Sequence, residues 1–191
     1  MSVNYRNIKE AMPPFALKGE TVRLSVYNSP LGDILLGADS HGLCISVFMN
    51  NYSIDKWVNS SGIGKVFSSV IYNRTNSHIE SAICELEEYF KGKLRKFQTP
   101  IFFYKGTDFQ LNVWSLLNSI PYGQTISYSE LALKTGNKNA VRAVAGANAC
   151  NMISVIIPCH RVIYKSGNTG GYSGGIWRKA RLLELEWSNS Y

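Results

Sequence analysis

Apolar and polar residues alternate with a period of two near the start of the chain and with a helical period further along. The alternating runs predict three short strands, over residues 22–27, 34–38 and 43–48, separated by residues typical of turns. Together these strands predict a small antiparallel meander. Residues 50–65 are polar and are expected to form a loop, whereas apolar residues at helical spacing predict a helix over 78–90.

The second half of the chain has a helical pattern with clear start signals. Residues 97–104 are expected to be an extended connection to this half. The segments 107–110 and 127–130 both fit the capping box, in which Ser or Thr is followed three residues later by Glu or Gln. Asn139 is positioned to cap a third helix over 140–149. A helix, a short helix, a glycine turn and another helix are the order of a helix-turn-helix.

The predicted third helix has two unlike faces. The face that is expected to be its core side carries Ala140, Ala143, Val144 and Ala147. The other face carries one long side chain among very small ones, namely Arg142, Ala145, Gly146 and Ala149. A solvated helix face normally carries several long polar residues. Two interpretations remain open: this face packs closely against another element, or it approaches a narrow surface such as the minor groove of DNA.

Residues 157–162, Ile-Pro-Cys-His-Arg-Val, place a thiol, an imidazole and a guanidinium next to one another. The apolar run 153–157, broken by one serine, predicts a strand before them. Pro158 cannot donate a ladder hydrogen bond and is expected to end that strand. Cys159 is therefore predicted to lie at a strand end, where a rigid scaffold holds functional residues.

A carboxylate near the end of the chain completes a candidate catalytic group. Residues 178–186 predict a helix with two leucine anchors, from whose buried side Glu186 projects, and a buried carboxylate needs a partner. A thiol becomes a nucleophile when its pKa falls or when a base is near. His160 follows Cys159, but neighbours on an extended chain point to opposite faces, so contact requires a turn or a bridging water. A thiol hydrolase and a thiol alkyl acceptor both fit this Cys-His-Glu arrangement.

Composition limits the classes of protein that fit this chain. Its 191 residues suffice for one large domain or two small ones with a core. No apolar run approaches the roughly 18 residues that span a bilayer, and residues 1–10 lack the apolar segment of an export signal. These features predict a soluble intracellular protein. The net charge is +7, of which +5 lies in residues 103–191, and this favours an anionic partner such as nucleic acid.

The remaining cysteines give no sign of a disulfide framework or a metal site. Their irregular spacing, without an export signal, argues against disulfides. Cys44 and Cys84 fall in apolar patterns and are expected to be small buried hydrophobic residues. His41 and Cys44 are close in sequence, but two ligands without a second pair do not make a zinc site.

The 157–162 motif resembles the signature of the O6-alkylguanine-DNA alkyltransferases, also called methylated-DNA–protein-cysteine methyltransferases. Further motifs follow in the order and spacing of that family: Thr-Asp-Phe-Gln at 107–110, Ile-Pro-Tyr-Gly at 120–123, Arg-Ala-Val-Ala-Gly-Ala-Asn at 142–148 and Gly-Tyr-Ser-Gly-Gly at 171–175. The resemblance is strong over residues 107–186 and weaker before them. It implies an α/β (α+β) fold, with a ribonuclease-H-like antiparallel sheet and helix in residues 1–100. Residues 101–191 would form a mostly helical domain with a winged helix-turn-helix.

The resemblance implies a chemical role for five residues. Cys159 would accept the alkyl group from O6 of guanine in one in-line displacement, and the protein would react once because a thioether is not hydrolysed. His160 would take the thiol proton through a water, and Glu186 would hold and polarise His160. Asn151 would brace the turn of the site. Tyr128 would help to rotate the nucleotide and offer its hydroxyl to the departing guanine.

The resemblance also implies how the substrate is held. The target base must leave the duplex, and Arg142 would enter the stack in its place. The residues implied in DNA binding are Arg142, Tyr128, Ala143 and Gly146, and those implied in binding the base are Tyr172, Ser173 and Ser154. Many relatives have a proline at the position of Ser154, which leaves the tolerance of bulky alkyl groups open. The partner would be double-stranded DNA containing alkylated bases, bound through the minor groove by a monomer.

No cofactor and no membrane are implied. Because no cysteine precedes Cys44, we predict no zinc of the kind that some relatives bind near the N-terminus. The expected location is the cytoplasm for a bacterial protein, or the nucleus for a eukaryotic one, and direct transcriptional control is not expected. Activity on O4-methylthymine stays open. Two alternatives are a lesion sensor, whose known relatives replace the acceptor cysteine, and a cysteine hydrolase unrelated to DNA.

Overall fold

A mixed sheet forms most of the first half of the molecule. The computed structural model describes residues 20–50 and 53–190. Within them the sheet has four strands in the order β3-β2-β1-β4, namely β1 (Thr21–Ser29), β2 (Gly32–Ala38), β3 (Leu43–Phe48) and β4 (Ser69–Tyr72). Strands β1, β2 and β3 pair antiparallel, which confirms the predicted meander, whereas the unpredicted β4 joins parallel to β1.

Both faces of this sheet are covered. On one face Ile34 and Leu36 pack into a core with helix α2 (Ser77–Phe90). On the other face Leu35 packs with Val22 in a second cluster. Successive side chains of a strand point to opposite faces, so β2 has buried residues on both sides. The sheet therefore packs against α2 on one face and against the second apolar cluster on the other.

The prediction of a loop after β3 is wrong. Helix α1 (Ile54–Ser61) and a 3-10 turn (Ile63–Lys65) form there. Ser53 caps α1 by accepting the Lys56 N–H over 3.3 Å. The residues of α1 that pack on the second face of the sheet are Ile54, Trp57 and Val58. A few apolar residues at helical spacing were enough to fold a segment whose overall composition is polar.

Helix α2 confirms the predicted helix, but one of its residues does not lie where the pattern put it. Cys84 is exposed rather than buried, because Ile79, Ala82 and Leu86 form the buried stripe and Cys84 lies between them on the outer side. Cys44 is buried, as predicted. The predicted connection after α2 runs alongside β3 and joins it through an isolated bridge to Ile101.

The second half is mainly helical within the described residues. Its helices are α3 (Asp108–Asn118), α4 (Tyr128–Lys134), α5 (Val141–Ala149) and α6 (Ile176–Ser188), with β5 (Ile126–Ser127) parallel to β6 (Val162–Ile163). Both predicted capping boxes form, at the starts of α3 and α4. Helices α3 and α4 pack on α5, as in a helix-turn-helix. The predicted mixed fold, with a sheet half followed by a helical half, is confirmed.

The start of α5 differs from its prediction. The residue before the helix is Ala140, and no side chain caps the first turn, so the prediction that Asn139 caps α5 is wrong. Asn139 instead donates its backbone N–H to Asn137 Oδ1 over 3.0 Å. The side chain of Asn137 thus organises a turn that leads into α5, and the local hydrogen bonding moves the helix start past Asn139.

The apolar run 153–157 does not form the predicted strand. Isolated bridges to β3 and within the run replace a ladder, and Val155 has φ +71°. This left-handed conformation is unusual for a β-branched residue and bends the chain sharply. Pro158 therefore precedes a 3-10 turn over Cys159–Arg161 instead of ending a strand. The apolar composition of the run reflects burial in a turn rather than pairing in a sheet.

Two further observations concern targeting. Residues 1–10, on which the prediction of a missing export signal depends, lie outside the described residues, so it stays a prediction. In the described part of the chain, no helix has the length and apolar character needed to cross a bilayer.

Candidate active site

Cys159 occupies the first position of the 3-10 turn, and side-chain amides hold the backbone on both sides of it. Asn151 donates from Nδ2 to the Ile157 carbonyl over 2.9 Å and accepts the Ile153 N–H over 3.0 Å. Asn148 donates to the carbonyl of Cys159 itself over 3.3 Å. All these groups are buried, so the hydrogen bonds are shielded from water. The direction of the thiol is therefore set by a braced turn.

Glu186 is the centre of a buried polar network behind this turn. It lies on the inner side of α6 with 1% of its surface exposed, which confirms its predicted burial. Burial by itself would raise the pKa of Glu186, but the hydrogen bond from His160 and the hydrogen bonds and charge of Arg161 outweigh burial and lower it to about 2. Glu186 Oε1 accepts from Tyr89 Oη (2.7 Å), His160 Nε2 (2.7 Å) and Arg161 Nη2 (2.9 Å), and Oε2 accepts from Arg161 Nε (2.8 Å) and Gly123 N (3.1 Å).

These contacts fix the tautomer of His160. An ionised carboxylate only accepts hydrogen bonds, so Nε2 carries the proton in the 2.7 Å bond to Glu186. Burial lowers the pKa of His160 and outweighs the opposite effect of Glu186, so the ring is neutral at neutral pH. Nδ1 then has a free lone pair, and it is buried without a hydrogen-bond partner among the described residues. The ring therefore presents a base atom that is not used within the fold.

The thiol of Cys159 requires such a base. Burial raises its pKa, and a hydrogen bond from Asn151 and the charge of Lys179 offset this only in part. Lys179 has no exposed surface, and its Nζ donates to the carbonyls of Val162 over 2.6 Å and Gly171 over 3.3 Å. Burial lowers the pKa of Lys179 to about 8. Cys159 is thus a protonated thiol at neutral pH, close to a buried cation.

A cavity of about 280 Å³ adjoins the turn. Its lining residues are Tyr128, Ala145, Asn148, Ala149, Tyr164, Gly171, Tyr172 and Ser173. Asn148 connects the cavity to the thiol, because it also bonds to the Cys159 carbonyl. Burial raises the pKa of Tyr128, so its hydroxyl stays a proton donor at neutral pH. Aromatic walls with a few polar groups suit a flat heteroaromatic ligand.

The residues predicted to bind the base do not all line this cavity. Tyr172 and Ser173 do, whereas Ser154 lies beneath, close to the thiol. Ser154 is buried and tied to β3, since its N–H donates to the Ser46 carbonyl over 2.7 Å and its carbonyl accepts from Ser46 Oγ over 2.9 Å. The first half of the chain therefore supports the floor of the site through strand β3.

A second set of contacts joins the first half to the cavity loop. Arg178 Nε donates to the Leu31 carbonyl over 2.6 Å, and its Nη1 donates to the Gly174 carbonyl over 2.6 Å. Asn50 donates from Nδ2 to the Ser173 carbonyl over 2.9 Å. These bonds anchor the loop that carries two of the cavity walls. The sheet thus positions the cavity without lining it.

Helix α5 presents an exposed face next to the cavity. Arg142 and Gly146 are exposed, and Arg142 makes no hydrogen bond or ion pair within residues 20–50 and 53–190. Val144 and Ala147 are buried, as predicted, but Ala143 is exposed, because α3 and α4 cover only a narrow stripe of α5. On the face of small residues, Arg142, Gly146 and Ala149 are exposed, whereas Ala145 is half-buried and packs against the core. Most of this face is therefore open, which favours the interpretation that it approaches a narrow surface.

Sequence reasoning assigned no role to three residues of the site: Arg161 and Tyr89, which bond to Glu186, and Lys179, which lies near the thiol. Arg161 stands in the motif itself, yet its pairing with a distant carboxylate has no local signal. Tyr89 lies on the buried stripe of α2, which is visible only as helical spacing. Lys179 had a usable signal, because it shares the spacing i, i+3, i+7 with Leu182 and Glu186, and all three are buried. A lysine on the apolar side of a predicted helix marks a cation with a specific environment.

In the first half of the chain, Glu20, Asp39 and His41 lie close enough together to be considered as metal ligands. Asp39 accepts from His41 at both its backbone N–H (2.7 Å) and its Nδ1 (3.0 Å), with Glu20 nearby. Cys44 is not part of this group, and its Sγ donates to the Gly37 carbonyl over 3.4 Å. The carboxylate is thus satisfied by its own turn, and the expected absence of zinc stays a prediction.

Comparison with known proteins gives the family. Residues 22–103 match the ribonuclease-like domain of 6-O-methylguanine DNA methyltransferase, and residues 108–188 match its DNA-binding domain. The chain belongs to the 6-O-methylguanine DNA methyltransferase family. The family predicted from the motifs is thereby confirmed. The predicted domain limits, 1–100 and 101–191, stay a prediction.

Individual members of the methyltransferase family are similar over most of their length. The chain is 41% identical over 159 residues to the methylated-DNA–protein-cysteine methyltransferase of Mycobacterium leprae, covering 83% of this chain and 88% of that protein. It is 38% identical over 168 residues to the one of Methanosarcina acetivorans, covering 86% and 97%. The crystal structure of Mycobacterium tuberculosis OGT in complex with DNA superposes with a TM-score of 0.73 at 37% identity, covering 88% and 94%.

Proposed function

We propose that this protein repairs DNA by moving an alkyl group, foremost methyl, from O6 of guanine to Cys159, and that each molecule reacts once. The observation that carries the proposal is the combination of a buried thiol with a neutral His160 whose Nδ1 has no partner among the described residues. An aromatic cavity adjoins this pair. The family relationship supports the same chemistry, because its members are named methyltransferases of methylated DNA and protein cysteine.

The first step is removal of the thiol proton. His160 Nδ1 has no hydrogen-bond partner among the described residues and so is not bonded to the thiol directly, and it takes the proton from Cys159 through a water. The imidazolium that forms is stabilised by Glu186, already ionised and bonded to Nε2 over 2.7 Å. Lys179 places a further positive charge near the thiolate sulfur. General-base assistance of this kind contributes about 10²–10⁴ in rate.

The second step is an in-line displacement at the alkyl carbon. A bond forms between Sγ of Cys159 and this carbon, and the bond from the carbon to O6 breaks with its electron pair staying on guanine. The Tyr128 hydroxyl donates a hydrogen bond to the developing negative charge, and guanine then takes up a proton from solvent. The product is a thioether, which water does not cleave. The protein is therefore consumed stoichiometrically.

The substrate base reaches the thiol by leaving the duplex, because its O6 atom is otherwise enclosed. We infer that the exposed face of α5 enters the minor groove, where Ala143 and Gly146 allow a close approach. Arg142 fills the space that the base vacates, and its unpaired guanidinium is available for this contact. Tyr172 and Ser173 hold the base, and Asn151 and Ser154 keep the floor of the site in place.

The remaining parts of the proposal concern assembly and location. We infer that the protein acts on double-stranded DNA as a monomer, without a cofactor. Its bacterial and archaeal relatives support action in the cytoplasm. The net charge of +7 supports attraction to the phosphate backbone.

Mass spectrometry tests the proposal directly. Incubation with a duplex containing one O6-methylguanine is expected to add one methyl group to the Cys159 peptide, with transfer stopping at one equivalent of protein. The Cys159→Ser protein is expected to bind the same duplex and to leave the methyl group in place. Intact damaged DNA together with folded, unmodified wild-type protein would contradict the proposal. Many turnovers on a substrate other than DNA would favour a cysteine hydrolase instead.

A further inference from the structure

Tyr164 stands where two cavities of the second half meet. It follows β6 directly and is 54% exposed, which is unusual for a large aromatic side chain. It lines the cavity of about 280 Å³ beside Cys159. It also lines a neighbouring groove of about 470 Å³, which Leu133 and Glu130 line as well. The Tyr164 ring therefore lies between a site for the base and a larger open space.

Although it is exposed, this ring is held firmly. Its centroid lies 5.3 Å from that of Tyr128. Gly170, at φ +70°, brings the loop so close to both rings that a Cβ atom there would lie 3.0 Å from Tyr164 Cε2 and 3.4 Å from Tyr128 Cε2. The backbone is fixed by a tight turn, in which the Tyr164 N–H donates to Asn168 and the Gly167 N–H donates to Tyr164, both over 2.9 Å. Only a glycine allows this approach of the loop.

We propose that Tyr164 is a specificity-determining residue, whose ring forms the outer wall of the base cavity and limits the size of the alkyl group that fits. The proposal rests on the function proposed above and deepens it, since it concerns the same cavity. A fixed aromatic wall contacts the flipped nucleotide and separates it from the neighbouring groove. Without the ring, the two spaces join, and a bulky substituent extends into the groove.

The size of the cavity supports this role. A volume of about 280 Å³ lies just below the usual range for ligand pockets, so the walls of this cavity limit the size of the group that enters it. Small changes in such a pocket alter selectivity strongly, because one methylene group in an apolar site changes rates by about 10–200-fold. Three tyrosines line the cavity, and of these Tyr164 is the one that also lines the neighbouring groove. Truncation of Tyr164 is thus the change that opens the cavity towards the groove.

The experiment compares single-turnover rates of the full-length protein on two duplexes, one with O6-methylguanine and one with O6-benzylguanine. Tyr164→Ala is expected to lower methyl transfer by about three- to tenfold, since a stacking wall is lost. It is expected to raise the benzyl-to-methyl ratio by about tenfold, because the cavity now opens into the groove. Tyr164→Phe keeps the ring and is expected to match the wild type on both duplexes.

Leu133→Ala provides the matched control. Leu133 is 61% exposed and lines the groove but not the base cavity, so its truncation is expected to leave both rates unchanged. An unchanged or lower benzyl-to-methyl ratio in Tyr164→Ala overturns the proposal, including the case in which both rates fall equally because Tyr128 has lost its neighbour. A wild-type protein that alkylates no cysteine in the same assay overturns the proposed function instead. Thermal unfolding of each variant checks that the exposed substitution leaves the fold intact.

Discussion

The buried network around Glu186 and the exposed face of α5 are built on opposite principles. In the network every strong donor, from Tyr89 to Arg161, has an acceptor, and the carboxylate accepts five hydrogen bonds. On α5 the one cation, Arg142, has no partner within the described residues, and its neighbours are small. Apart from His160 Nδ1, the network is satisfied within the fold, whereas the α5 face carries an unpaired cation.

The buried network holds groups of the proposed chemistry, whereas the exposed face of α5 holds the groups proposed to contact DNA. Groups that must have fixed protonation states are buried, because burial and hydrogen bonding shift a pKa far more than an exposed surface does. Groups that must meet a large polyanion are exposed and unpaired, because a cation already satisfied within the fold gains less from a phosphate. In the part of this network that the structure describes, the side-chain atom without a hydrogen-bond partner is His160 Nδ1, which is the atom that the proposed chemistry uses.

The largest effect is expected for Glu186→Gln. The substitution leaves Arg161 buried without a counter-charge and introduces an amide that cannot accept all five bonds, which costs about 3–5 kcal/mol of unfolding free energy. It also releases the tautomer of His160, so methyl transfer is expected to fall by about 10²–10⁴-fold. Chemical denaturation and single-turnover assays measure the two effects. Glu184→Gln, which alters an exposed pair with Arg181, is the control and should change neither.

The same carboxylate predicts how stability depends on acid. Its folded pKa of about 2 is below the ordinary value of 4.5, so its stabilisation is fully present above about pH 4.5 and is lost as the pH falls toward 2. At about 1.4 kcal/mol per pH unit this amounts to roughly 3 kcal/mol. The wild type is expected to lose that much more stability than Glu186→Gln over this range. Parallel acid titrations of the two proteins would contradict the network as drawn.

Lys179 is expected to make stability depend on pH in the alkaline range. Burial lowers its pKa from 10.5 to about 8, so the folded state binds the proton less tightly than the unfolded chain. The free-energy cost of burying the charged lysine is present in full below about pH 8 and disappears as the pH rises to 10.5. The free energy of unfolding therefore rises over this range by up to about 3 kcal/mol. Lys179→Met removes this rise, which denaturant titrations at several pH values measure. The exposed Lys138→Met should keep the wild-type profile.

A smaller effect, confined to DNA binding, is expected for Arg142→Ala. Because Arg142 is exposed and unpaired in the described structure, its removal should leave stability within about 0.5 kcal/mol. Affinity for the damaged duplex should fall by about tenfold, and the salt dependence of binding should lose about one unit of slope. Fluorescence anisotropy at several salt concentrations measures both. Arg181→Ala removes an exposed charge that is paired with Glu184, and equal losses in both variants would argue against a specific role for α5.

The smallest effect, and the sharpest test of the comparison, is expected for Gly146→Ala. No atom lies within 4 Å of a Cβ at this position, so alanine should stabilise the helix by about 0.5–1 kcal/mol. If the small face of α5 meets DNA closely, affinity should fall while stability rises. Thermal unfolding and anisotropy on the same protein separate the two changes. Affinity that stays constant would mean that the small residues of α5 serve something other than a close approach.

Predictions from local sequence were reliable where all the interacting residues lie within one turn of the chain. The capping boxes at Thr107 and Ser127 form as predicted, since each involves residues three apart. The prediction failed at Asn139 and at residues 153–157, where a competing turn and a left-handed valine override the pattern. The predicted burial of Cys84 was wrong because helical spacing does not show which of two neighbouring stripes of α2 faces the core.

The family, the antiparallel meander, the main helices of the second half and the burial of Glu186 could all be predicted from the sequence, which also proposes Cys159 as the acceptor. The contacts that set the chemical properties of these groups are visible only in the folded molecule. Tyr89 donates to Glu186 across 97 positions of the chain, and no local pattern reports such a contact. The protonation states of His160 and Lys179 depend on desolvation by elements far away in sequence, as does the position of Tyr164 between two cavities. Periodicity records which side of a segment is apolar, whereas reactivity depends on which charges and rings the fold brings to that side.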